Sequence, residues 1–220
     1  MNEAELKNLW LATSQKMEAQ FVINIKNTED LARMKTYHLL GSMKPIKIFT
    51  ILAGLLWVGG GIGILTPVYL FAFEKANKYF LFSATIQIVL SAIALFVYVY
   101  QLVLIYQTEI TEPILKTQER LARLRISTLW VTRILFLQLP VWTTFWWYGN
   151  PFTDWTLLQL LVSFSVTMLF AAVAVWLFFN IKFENRNKKW FRLIFDGREW
   201  SPLLKSMEIL EEVEAYKTGK

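Results

Sequence analysis

Charge disappears from four long stretches of this chain. Ile48 to Phe73, Tyr79 to Thr108, Ile134 to Thr153 and Trp155 to Ile181 contain no Asp, Glu, Lys or Arg. The third is expected to begin earlier, near Ile126, which takes Arg133 inside it. A helix rising 1.5 Å per residue needs ~20 residues to cross a ~30 Å hydrocarbon core. Every stretch meets that length. Unpaired backbone groups are costly in lipid, so helices are the economical way to cross.

The segments between these stretches have a different period. Leu6, Trp10, Met17 and Phe21 recur at spacings that place them on one helical face. Asn27 or Thr28 then reads as an N-cap, with Glu29 and Asp30 in the first turn, where the helix dipole favours them. A second helix is expected to run to Met43, and Pro45 to mark the first turn of the first span. Glu112 to Arg125 reads as a basic amphipathic helix. Lys188 to Phe195 mixes cations with Trp190, Phe191 and Ile194, as an interfacial helix does. Asp196-Gly197 is a turn signal. Ser201-Pro202 starts a last, acidic helix with Leu203, Met207 and Leu210 on one face.

The predicted fold is therefore all-α: a four-transmembrane-helix bundle with cytoplasmic amphipathic helices and both termini inside. Residues 1–45 form a cytoplasmic helical segment and 46–106 the first transmembrane hairpin. Residues 107–125 form a cytoplasmic amphipathic helix, 126–181 the second hairpin, and 182–220 the interfacial and acidic helices. Glu29 to Lys35 resembles Glu119 to Arg125, and each precedes a hairpin, the pattern a parallel duplication would leave.

Composition agrees. Hydrophobic residues are 55% and charged residues 18% of the 220, against about a quarter charged in soluble proteins. Mean hydropathy is +0.38. A soluble domain of this size buries only about two-thirds of its unfolded surface, too little to hide this much apolar area. Lys and Arg crowd the segment before the first span, the middle loop and the tail, whereas Gly149 to Asp154 has none. That distribution places the termini and middle loop in the cytoplasm of a cell inner membrane. The net charge of +6 borders apolar runs, which fits anionic lipid better than nucleic acid. No Cys is present, which removes disulfides and thiolate chemistry. A single His, His38, excludes a multi-His cluster. No cleavable signal peptide is expected, because the first 45 residues are polar and mixed in charge.

Candidate chemistry is sparse. Gly59 and Gly63 form a small-xxx-small pair, read as helix packing within the bundle, with an oligomer contact or hinge as the functional alternative. Arg133 is an intramembrane charge, a functional candidate by default, but near enough to the interface to snorkel. Gln87, Gln101, Gln138 and Ser163 are polar groups in the spans, suited to interhelical hydrogen bonds or to a pore lining. Asp, Glu and His are missing from the span interiors, which argues against ion-coupled transport. No Walker loop, HExxH, GxSxG or dinucleotide fingerprint occurs, and no His stands near a Ser or Thr nucleophile. Glu109, Glu112 and Glu119 have no spacing that compels acid–base work. No catalytic residue, metal site or cofactor is expected.

Asn8-Leu9-Trp10, Ser14 to Glu18, Gln101-Leu102-Val103 and, most specifically, Pro113 to Ile126 resemble segments of a group of uncharacterised bacterial four-span membrane proteins. The resemblance implies four spans and cytoplasmic helices, and carries no ligand or catalytic residues. Some members sit beside regulatory genes, an association with signalling.

The functional expectation is a non-enzymatic, self-associating scaffold or regulator in the bilayer. Its contact residues are expected to be Leu6, Trp10, Met17 and Phe21, with Leu121 and Leu124 beside them, toward a second copy or a cytoplasmic protein partner. The alternative is a small oligomeric channel or transporter.

Overall fold

A computed structural model describes the backbone of residues 3–109, 113–195, 197 and 200–218. It also describes their side chains, except those of 3–6, 9, 12, 114 and 216–218. The elements in order are α1 (Glu3–Phe71), α2 (Lys78–Tyr106), α3 (Ile114–Phe136), α4 (Leu139–Thr144), α5 (Leu157–Asn180), α6 (Lys189–Phe195) and α7 (Ser201–Thr218), with a 3-10 turn at Phe183–Asn185. No strand occurs among the described residues. Four stretches are long and apolar enough to cross a membrane: one within α1, α2, Leu115–Thr144, and α5. The chain is all-helical with the makeup of a multi-pass membrane protein.

The first element departs from expectation. α1 runs unbroken for 69 residues, ~100 Å at 1.5 Å per residue. No cap forms at Asn27 or Thr28; instead the Thr28 hydroxyl donates to the Asn24 carbonyl at 2.8 Å, back-bonding within the helix. Pro45 and Pro67 both lie inside the helix. A proline ring crowds the carbonyl four residues earlier. Those residues are Gly41 and Gly63, which carry no Cβ and give the backbone room to yield.

Packing explains why local breakers lose. Ala32, Thr36, Leu40, Met43 and Lys47 are all buried, and their spacings of four, four, three and four trace one face of α1. The same face continues through Gly54, Gly61 and buried Leu65. One seam thus holds α1 against α7 at one end and α2 along the rest. The free energy of that seam outweighs the cost of a proline.

At the end carrying α7, Leu40, Met43, Leu104, Ile105, Leu121, Leu124, Leu203 and Leu210 make one buried cluster from four helices. A second cluster joins Leu129, Leu177 and Ile181 to Phe191 and Phe195 of α6. The third lies at the hairpin end, where Leu65 meets Leu81 and Ala84.

The third span is interrupted. α3 stops at Phe136, and a turn at Leu137 and Gln138 precedes α4, whose Pro140 sits in the first turn. The helix ends at Thr144 instead of reaching Thr153. Trp146, Trp147 and Tyr148 therefore lie in the loop before α5. Asn77 caps α2 by accepting from the Tyr79 amide at 2.9 Å, and donates to the Trp147 carbonyl at 2.5 Å, which ties the two hairpins together. α5 starts with a capping box between Thr156 and Gln159. Gly149 has φ +58°, and a Cβ there would meet the Asp154 carboxylate, so this turn requires glycine. The Asn150 amide and the Thr153 hydroxyl donate to that carboxylate and hold it below its usual range.

The two similar heptapeptides bury different faces. Leu121 and Leu124 are in the core, but their counterparts Leu31 and Met34 are exposed, and Ala32 is buried instead. They share an i,i+4 Glu–Arg pair, Glu29 with Arg33 at 3.7 Å and Glu119 with Arg123 at 2.7 Å.

Candidate functional site

α2 carries polar residues along one side for most of its length: Ser83, Gln87, Ser91, Tyr98 and Gln101. Spacings of four, four, seven and three keep them on one broad face. Each meets something different. Ser83 pairs with the Thr144 hydroxyl at 3.0 Å. Ser91 accepts from the Gln138 amide at 3.3 Å. Gln101 accepts from the Lys47 ammonium at 2.6 Å. The amide nitrogen of Gln87 is buried without a hydrogen-bond partner.

Lys47 immediately precedes the first charge-free stretch. It has 0% exposure, on a par with Met43 one turn earlier. Its ammonium also lies 4.3 Å from the centre of the Tyr98 ring, in cation–π range. The signal was available: Lys47 continues the buried spacing of Thr36, Leu40 and Met43.

Arg133 directs its charge to the end of α5. Its Nε and Nη2 donate to the Ile181 carbonyl at 2.8 and 2.5 Å. Ile181 is the C-cap of α5, where unpaired carbonyls and the dipole both favour a cation. Its guanidinium also lies over Trp130. A similar arrangement recurs nearby, where Arg125 and Arg186 both lie against the Phe183 ring.

The glycines divide in an unexpected way. A Cβ on Gly61 would sit 2.4 Å from the Ile88 methyl, and one on Gly54 would sit 3.1 Å from Leu95. Those two make the close approach of α1 to α2. Gly59 and Gly63 meet nothing within 4 Å, so the packing assigned to them lies on the neighbouring face. The period of the buried seam, not the small-xxx-small motif, identifies the packing glycines.

The expected contact residues separate into two groups. Leu121 and Leu124, at 2% each, are occupied by α1 and α7 of the same chain and offer no surface to a partner. Trp10 (69%), Met17 (63%) and Phe21 (51%) are exposed. The Leu6 side chain lies outside the described residues.

Ser163 lines a cleft of about 280 Å³ among Trp146, Trp147, Tyr148 and Trp155. It is separate from the bonds made by Gln101 and Gln138. Within a single chain these four polar residues do not share one cavity. Among the described residues no group of three His, Cys, Asp or Glu could hold a metal ion. Glu119 is engaged in its exposed pair with Arg123, a solvated helix contact, and Glu112 lies outside the described residues.

Comparison with known proteins finds no matching family model, no matching curated protein and no matching solved structure.

Proposed function

We propose that this chain is a cell inner-membrane protein with both termini in the cytoplasm, acting without catalysis as a self-associating scaffold or regulator. The orientation rests on the Lys and Arg crowding at the end that holds α7 and on their absence from Gly149 to Asp154. One observation carries the functional reading. α1 continues toward its N-terminal end as a helix on which Trp10 and Met17 are exposed among the described residues. A few central anchors, Trp prominent among them, supply most of an interface's affinity. In a cytoplasmic segment, this face invites a second copy or a soluble protein.

The channel reading receives less support, because Gln87, Gln101, Gln138 and Ser163 have separate surroundings. The test is purification from native membranes in mild detergent, with mass spectrometry of the co-purifying proteins. A defined multimer, alone or with a stoichiometric soluble protein, is expected. A lone monomer would refute the proposal.

A further inference from the structure

An amide without a partner is out of place in an apolar wall. Gln87 is 3% exposed, its nitrogen makes no hydrogen bond, and it borders a cavity of about 290 Å³ between α1, α2 and α4. Trp57, Phe80, Trp142 and Phe145 line the same cavity. Gly60 opens it, since a Cβ there would meet nothing within 4 Å. The rim residues Leu56 and Ile64 are exposed on the apolar surface, so the cavity communicates with lipid.

We propose that this cavity binds the ring of a membrane-dissolved quinone-type molecule, with the Gln87 amide, whose nitrogen is closed off in the free protein, turning toward the cavity to donate to a ring carbonyl. Four observations select that chemistry. The unpartnered N–H needs an acceptor oxygen. The aromatic lining favours a flat ring stacked or edge-on. The volume is at the low end of ligand pockets, which start near ~300 Å³, and suits a ring headgroup with its tail left in lipid. Depth removes the commonest competitor. Gln87 lies nine residues into α2, ~13 Å from its start, close to the middle of a ~30 Å core. Glycerolipid ester carbonyls lie at the edge of that core and do not reach it. The proposal concerns binding only and is independent of self-association through α1.

The test uses the full chain in phosphatidylcholine nanodiscs and a short-tailed naphthoquinone labelled with ¹³C at its carbonyls. The infrared carbonyl band should shift saturably to lower frequency in the wild type. Gln87→Leu should remove the shift and weaken binding about tenfold, the scale of one hydrogen bond. Gly60→Val should fill the cavity and abolish binding while circular dichroism stays unchanged. This second variant keeps the test decisive if Gln87→Leu fails to fold. The proposal is overturned by no saturable shift in the wild type, by an undiminished shift in Gln87→Leu, or by normal binding in Gly60→Val. Equal competition by methyl oleate would also overturn it, because an acyl ester would then be the natural occupant.

Discussion

A lysine with no solvent exposure must find its acceptors inside the protein. Lys47 does so with the Gln101 carbonyl oxygen and the face of Tyr98. Burying an ammonium is costly unless it is hydrogen-bonded, so the contact is informative when broken. Gln101→Leu leaves the ammonium buried with one acceptor fewer, and we predict a loss of about 1–3 kcal/mol in stability. Lys47→Met combined with Gln101→Leu removes both partners and should recover part of that loss. Denaturant titration of the purified protein in detergent measures both. A change within about 0.5 kcal/mol for Gln101→Leu would mean that the pair contributes no more than an ordinary surface contact. Arg133 is the contrasting case, because its charge satisfies a helix end instead of another side chain.

At the scale of elements, α1 is the organising piece. The native chain has no cysteine, so spin labels at Gln15→Cys and Ser42→Cys report on it cleanly. A continuous helix places these positions about 40 Å apart, at 1.5 Å per residue. A distribution centred below about 30 Å would instead indicate a break near Asn27. The glycine seam gives an independent check. Gly61→Val drives a side chain into Ile88 and should destabilise the protein by about 1–3 kcal/mol, the usual cost of overpacking. Gly59→Val faces open space and should leave monomer stability unchanged in the same titration. The four apolar helices, the tail helices at Lys189–Phe195 and Ser201–Thr218, and the short hairpins were all legible in the sequence. Their signals are local: length without charge, capping residues and helical spacing. The continuity of α1 was not, because Thr28 and Pro45 are breakers whose effect is cancelled by packing against distant helices. For the same reason Leu121 and Leu124 read as an available face, when α7, some 80 residues away, already covers them.

The whole molecule is held by two kinds of contact. Around Leu40, Met43, Leu121, Leu124 and Leu210, in the segment proposed to face the cytoplasm, burial removes apolar area from water, at about 1.5–3 kcal/mol for each fully buried side chain. Between the spans that driving force is absent, because lipid is as apolar as the side chains. Close packing at Gly54 and Gly61 and the hydrogen bonds of the α2 stripe take its place. Outside both kinds of contact, among the described residues, stand the exposed Trp10 and Met17 at the far end of α1. The decisive measurement is the mass of the intact protein in mild detergent, by light scattering, for wild type and for the pair Trp10→Ser with Phe21→Ser. The account predicts a defined multimer of the 25.8 kDa chain that falls to a monomer in the double variant, with its helical content retained. A monomeric wild type, or a multimer that the double substitution leaves intact, would contradict it.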